Sequence, residues 1–409
     1  MSGTPLTPRG LTESLTRRRV LRAALCASTA LVLSACADNK FDLGDFGKFG
    51  NTTAPAAPPP PGAQIGEGQV RVGLILPLSG PAGAGVGISL KNAAEMALSD
   101  FKNPNIQLLV KDDGGTPQGA QAAAQAALNE GAEIILGPLF AQSVRAVSQV
   151  TRPRNIPVIA FSTDASVASQ GVYLLSFLPE TDVRRIVEYA ASRGKRSYAA
   201  LIPENAYGAV VEAAFQQEVP RHGGRVVVLQ KYPLDPSKLA EPVHAVAQAA
   251  TQVDSVFIPD NADSVVQLAQ ALVADRVNLK RLQLLGTGVW DDPHIFSTPA
   301  LHGALYPGPD PNAFRTFSAQ YRARFGQDPV RAATLSYDAV ALVAALVKTQ
   351  GPQRFSEAVL TNSSGFSGKD GLFRFRPDGT NDRGLAVLRV TATGPQLVAP
   401  APRAFGPAA

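Results

Sequence analysis

Between Ala132 and Ala165 the chain reads AEIILGPLFAQSVRAVSQVTRPRNIPVIAFSTDA, and the period of its apolar positions changes twice. Ile134 to Gly137 is a continuous apolar run. After the loop Pro138 to Ser143, apolar residues Val144, Val147 and Val150 recur at helical spacing, and Pro157 to Phe161 is continuous again. The pattern predicts strand, helix and strand within one βαβ length. Near-continuous runs of this kind belong to strands covered on both faces, so a parallel sheet follows. The loops after such strands are where open α/β sheets bind ligands, which makes Pro138–Ser143 and Ser162–Asp164 the first places to look for a site.

The same alternation runs along most of the chain, and its element order repeats. In the first copy, strands Val70–Leu78, Ile106–Lys111, Ile134–Gly137 and Val158–Phe161 alternate with helices, one of which carries Leu90, Ala94, Ala97, Leu98 and Phe101 on one face. In the second, strands Tyr198–Ile202, Arg225–Leu229, Ser255–Ile258 and Leu282–Leu285 alternate with helices 206–219, 237–250 and 264–273. A duplicated order sets a whole architecture. The expectation is an α/β protein of two doubly wound parallel-sheet lobes joined by hinge crossovers. Lobe 1 is expected over 69–178, with a return segment at about 291–350 that includes helix Ser336–Val347. Lobe 2 is expected over 179–290, with a segment at about 351–393, followed by a loose Pro/Ala-rich tail over 394–409.

Charge changes the picture only at the N-terminus. The chain of 409 residues has a formal charge of +5, but Arg9, Arg17, Arg18, Arg19 and Arg22 against Glu13 supply +4 before residue 36, leaving +1 for the remainder. That is no basic footprint for a nucleic acid. The arginine run and the apolar stretch Ala23–Ser34, too short to span a bilayer, read as an export signal, resembling both a twin-arginine signal and a general secretory one. Leu33-Ser34-Ala35-Cys36 resembles the lipobox of bacterial lipoproteins, so residues 1–35 are expected to be removed and Cys36 to be lipidated, placing the protein in the periplasm on a membrane anchor. Residues 36–68, with Thr53-Ala54-Pro55-Ala56-Ala57-Pro58-Pro59-Pro60-Pro61-Gly62, then read as a semi-rigid tether. Cys26 leaves with the signal, so neither of the two cysteines is available for a disulfide.

If the lobes face each other, the loops after their strands converge on a cleft. Lobe 1 offers Ser79, Gln142, Ser143, Ser162 and Thr163, hydroxyls and an amide beside a helix N-terminus, where free N–H groups and the helix dipole favour a carboxylate. Lobe 2 offers Tyr207, Asp260 and Trp290, acid and aromatics suited to an ammonium. A small zwitterion such as an amino acid satisfies both. Each residue also has a plainer reading: Ser143 as an N-cap, Asp260-Asn261 as a capping turn, Trp290 as a core residue near the hinge. Enzyme readings fare worse. Gly80–Gly87 lacks the third glycine of a dinucleotide loop, the four histidines have no metal-ligand spacing, and no Gly-x-Ser-x-Gly elbow occurs, so no catalytic residue, metal or cofactor is expected.

VRVGLILPLSGPAGAGVGISLKNAAEMALSDF, the Gly137–Thr163 stretch and Pro203-Glu204-Asn205-Ala206-Tyr207-Gly208 together resemble the branched-chain amino-acid binding proteins of ABC importers, which have the type I periplasmic-binding fold. The resemblance covers about residues 69–390. It implies that an amino-acid-like ligand is held at Ser79, Gln142, Ser143, Ser162, Thr163 and Tyr207, for an ABC permease or a sensor. The chain departs from that family at Leu139-Phe140-Ala141-Gln142, where small serines are usual, and the added bulk is expected to narrow or alter the pocket. The Gly137-Pro138-Leu139 turn, the lipobox and the long spacer are also similar to lipoprotein activators of penicillin-binding proteins, which share the fold and act through contacts with a peptidoglycan synthase.

Overall fold

The computed structural model describes residues 64–81, 83–102 and 104–405. The expected signal, lipobox, Cys36 and most of the tether lie outside these residues. The first lobe is built on a sheet of six strands, β1 (Gln64–Ile65), β2 (Val70–Leu76), β3 (Ile106–Asp112), β4 (Ile134–Leu136), β5 (Val158–Ala160) and β6 (Val172–Leu174), in the order β1-β3-β2-β4-β5-β6. All pairs are parallel except β1 with β3. Helices α1 (Ala84–Asp100), α2 (Pro117–Asn129) and α3 (Ala141–Thr151) cross between the strands.

The chain then enters the second lobe through helix α4 (Pro179–Ser192) and alternates β7 (Ser197–Pro203), α5 (Ala206–Arg221), β8 (Arg225–Tyr232), α6 (Ala240–Ala249), β9 (Ser255–Phe257), α7 (Ala262–Ala274), β10 (Gln283–Leu285), α8 (Pro293–Phe296) and β11 (Leu305–Gly308). It returns through α9 (Pro311–Phe325), α10 (Ala333–Thr349) and α11 (Glu357–Leu360) to a three-stranded antiparallel sheet of β12 (Phe366–Gly368), β13 (Gly371–Phe375) and β14 (Asn381–Arg383). Strands β15 (Ala386–Thr391) and β16 (Gly394–Ala399) then close the second sheet, whose order is β16-β15-β11-β10-β9-β7-β8.

Composition explains why these segments hold. Thr116, Asn205, Asn261 and Asp310 each accept a backbone N–H at the start of a helix, and Pro117 and Pro311 occupy first-turn positions where no donor is lost. Helix α1 buries Leu90, Ala93, Ala94, Ala97 and Leu98, and α10 buries Ala339, Val340, Val343 and Leu346; their small side chains allow the two helices to approach closely.

The returning segments divide differently from the sequence expectation. Residues 291–308 stay in lobe 2, where Ile295, Leu301 and Tyr306 join its core and β11 pairs with β10. Phe317, Tyr321 and α10 pack on lobe 1, as expected, but so do Phe373 and Phe375 of β13, which the sequence reading assigned to lobe 2. The tail expected to be loose from residue 394 forms β16, paired antiparallel with β15. Three crossovers therefore join the lobes, at residues 175–179, 308–311 and 383–386. At the third, Asp382 gathers Arg184 of α4 at 2.8 Å together with Arg374 and Arg376, each at 2.9 Å.

Candidate functional site

The carboxyl ends of both parallel sheets carry the sequence-predicted residues, and the local chemistry sorts them. After β2, the N–H groups of Leu78 and Ser79 donate to Asp112 Oδ1 at 2.9 and 3.2 Å, and Gly114 N–H joins them at 2.8 Å. Burial works to raise the Asp112 pKa, but its bond to the Ser79 side chain and these backbone donors hold it below the usual carboxylate range. The Ser79 side chain is thus engaged with Asp112 rather than free.

After β4 the chain turns at Gly137, whose φ is +83° and where an added Cβ would lie 2.0 Å from the Ile75 carbonyl oxygen. This turn delivers α3. Its N-cap residue is Phe140, with no capping side chain, so Ser143 is not the cap of that helix. Ser143 is instead buried in the first turn, 1% exposed, and its Oγ has no hydrogen-bond partner. Gln142 on the same turn is exposed. The bulk noted in the sequence is spent elsewhere: Leu139 is in the lobe 1 core, and the Phe140 ring covers Gly83, where a Cβ would lie 2.7 Å from Cζ. On the neighbouring strand end, buried Ser162 accepts the Asp164 N–H at 3.1 Å, and Thr163 is half-buried.

In lobe 2, Asn205 caps α5 by accepting Gly208 N–H at 2.7 Å, and a Cβ at Gly208 would sit 1.8 Å from the Pro203 carbonyl oxygen. Only glycine lets α5 start so close to β7, and this places Tyr207 at the strand end. Its hydroxyl shares a 2.7 Å hydrogen bond with Thr287 Oγ1. Asp260 is buried, accepts the Tyr232 hydroxyl at 2.6 Å and the Asn261 N–H at 2.7 Å. Asn261 caps α7, so the capping-turn reading holds there as well. Trp290 is fully buried in the lobe 2 core, and its indole N–H donates to the Ile258 carbonyl at 3.1 Å. That geometry corrects its candidacy as a ligand platform: the ring has no face left to offer.

Sequence reasoning missed the groups that tie the two walls together. Burial and the nearby charges of Asp182, Asp260 and Glu180 raise the Tyr207 pKa, although its bond to Thr287 works the other way. Glu180 in turn feels Asp164 from lobe 1. A charge in the loop after β5 thus acts on the start of α4, whose own acids act on Tyr207. Exposed Gln142 and core-bound Trp290 stand apart from that set. Glu180 and Asp182 lie in the first turn of α4, where acids are also expected simply to complement the helix dipole, so their type alone carried no signal.

Asp182 is buried and accepts Gly288 N–H at 2.8 Å. Burial pushes its pKa up to about 7; the Gly288 bond opposes this and Glu180 adds to it. The folded state thus holds this proton more tightly than the unfolded chain, where it leaves near pH 4. Stability from this group is fully present below about pH 4 and lost as pH rises through 7. Between pH 5 and pH 8 the protein should lose about 2–3 kcal/mol through Asp182. Asp182→Asn keeps an oxygen for Gly288 and should flatten the urea-derived stability profile by that amount; parallel profiles would contradict the assignment.

The family model of the periplasmic binding proteins matches residues 69–395. Among solved structures, a putative branched-chain amino acid ABC transporter protein from Rhodospirillum rubrum superposes with a TM-score of 0.73 at 19% identity, over 80% of this chain and 99% of that one. Among curated proteins, an uncharacterized protein of Rickettsia prowazekii is 22% identical over 182 residues, covering 44% of this chain and 48% of its own. Penicillin-binding protein activator LpoA of Shigella flexneri is 29% identical over 153 residues, covering 37% of this chain and 22% of its own, so the chain spans less than half the length of either. The two largely parallel sheets, the three crossovers and a family match over most of the sequence agree: this chain belongs to the type I periplasmic binding proteins.

Proposed function

We propose that this protein is an extracytoplasmic lipoprotein, anchored through Cys36, whose lobes close on a small amino-acid-like zwitterion as the solute-binding component of an ABC importer or as a sensor. The observation that carries the reading is Ser143. A hydroxyl that is buried without a partner in the first turn of an 11-residue helix, beside that helix's free N–H groups, is suited to a carboxylate. Ser162 and Thr163 on the adjacent strand end widen that half-site. Glu180, whose Oε2 is buried without a partner, and the Tyr207 ring supply the side that suits an ammonium.

A second reading is that the protein activates a penicillin-binding protein through surface contacts. It is favoured by lobe 2, where Tyr207 and Asp260 already bond to Thr287 and Tyr232, and by the relatives of that name.

Melting curves of the full chain against the common amino acids test the choice. A ligand at 100 times its Kd should stabilise the protein by about 2.7 kcal/mol. Ser143→Ala should leave the unliganded melting temperature nearly unchanged, because its Oγ bonds to nothing, while weakening binding roughly 5–10-fold. No shift with any amino acid, together with capture of a purified penicillin-binding protein, would favour the second reading.

A further inference from the structure

At the hinge, Arg383 is 5% exposed, yet neither Nη1 nor Nη2 has a hydrogen-bond partner. The rest of the side chain is held firmly. Nε donates to the Ser176 carbonyl at 2.9 Å, and the guanidinium lies over the Phe177 ring at 4.3 Å from its centroid. A guanidinium buried with two free ends is a costly arrangement unless a counter-ion meets it.

The surrounding carboxyls, Asp370 first among them, act on Arg383 through their charge but make no hydrogen bond to its free ends. Asp370 is committed to Arg331 through two hydrogen bonds of 3.0 and 2.8 Å. Asp338 Oδ1 accepts Lys369 N–H at 2.7 Å and Asp182 Oδ2 accepts Gly288 N–H, but neither bonds to Arg383. Burial also pushes both carboxyls up to about 7, so near neutral pH neither is a full counter-charge. Asp338 Oδ2 is itself buried without a partner and, when protonated, can donate to an anion.

The position is the third crossover between the lobes. Ser176, which anchors Arg383, donates its hydroxyl to the Phe161 carbonyl at 3.2 Å, next to Ser162. On the other side, the charge of Asp182 at the start of α4 acts on Arg383. Arg383 therefore lies at the crossover between the lobes, bonded to the Ser176 crossover beside it.

We propose that the hinge end of the cleft is an anion site in which the Arg383 fork clamps a second carboxylate, so that the ligand is an acidic, dicarboxylate amino acid rather than a neutral one. This rests on the ligand reading given above, in which Ser143 and the start of α3 hold the first carboxylate. A planar guanidinium with two parallel N–H donors is matched to a carboxylate in bidentate geometry.

The test pairs glutamate with norvaline, which has a methyl group in place of the second carboxylate, using titration calorimetry and melting curves on the full chain at fixed ionic strength. The wild type should bind glutamate at least about 10-fold tighter than norvaline, the ratio expected for charge-assisted bonds. Arg383→Gln should collapse that ratio to within about 3-fold, and Arg383→Lys, which keeps the charge but not the fork, should fall between. Should Arg383→Gln fail to fold, the wild-type ratio and Arg383→Lys decide. Equal binding of both ligands by the wild type overturns this inference and leaves the amino-acid reading standing. A preference for glutamate that survives in a folded Arg383→Gln also overturns it. If no amino acid shifts the melting curve, both readings fall together.

Discussion

Trp290→Ala should destabilise the protein by about 3–5 kcal/mol, the range for deleting a buried aromatic side chain. The ring is fully buried among Ile258, Ile295 and Tyr306 in the lobe 2 core. It also fills the space over Gly286, where an added Cβ would lie 2.1 Å from the indole, so Gly286 has no side chain to fill the hole. Deletion further leaves the Ile258 carbonyl without its indole donor. The expected result is a lower urea midpoint with nearly unchanged slope, followed by far-UV circular dichroism because the variant has lost the only tryptophan. Wild-type fluorescence gives an independent check. A core indole should emit in the blue, resist acrylamide and be indifferent to ligand. Quenching by a bound amino acid would restore Trp290 to the cleft.

That residue shows where the sequence stopped being informative. One tryptophan at the end of a strand is equally compatible with a ligand platform and a core plug, and what separates them is a glycine four positions earlier whose role depends on packing. The eight strands read from continuous apolar runs correspond to β2, β3, β4, β5, β7, β8, β9 and β10; β2, β4, β5, β7 and β9 are buried along almost their whole length, which favours apolar side chains on both faces, while edge strand β8 is only half-buried. Two of the strands that were missed lack that signature: β11 ends in Pro-Gly, and β16 is held by antiparallel pairing with β15, a contact no local window contains. β6 carries it, since Val172, Tyr173 and Leu174 are all buried. Ser143 was legible as a position, but not its freedom from capping duty, which depends on α3 beginning at Ala141. Arg383 was invisible for a different reason. Asn381-Asp382-Arg383-Gly384 has the composition of a solvated turn, yet the structure buries its first three residues against the Ser176 crossover.

Asp370→Asn should cost about 3–5 kcal/mol, as when one member of a buried ion pair is removed. Asp370 is 2% exposed and receives Arg331 Nη1 and Nη2 and the Thr334 hydroxyl. Arg331 is half-buried and held in place by its guanidinium, stacked 4.4 Å from the Phe314 centroid and 5.1 Å from Phe177, so losing Asp370 leaves it without its partner. Burial alone would raise the Asp370 pKa, but the charge and hydrogen bonds of Arg331, with Arg383 and Thr334, outweigh it and hold it below the ordinary value. The sign is therefore opposite to that of Asp182. Its stabilisation is present above about pH 4 and lost as pH falls through the lowered native value, so wild type and Asp370→Asn should converge in strong acid and diverge above it. The charge pair itself is worth less than its rupture. Asp370→Leu combined with Arg331→Met, which removes both charges and keeps apolar volume against Phe314, should cost less than Asp370→Asn alone. A double variant as unstable as the sum of its parts would show instead that the two side chains act independently, and that the hinge owes its order to something other than this pair.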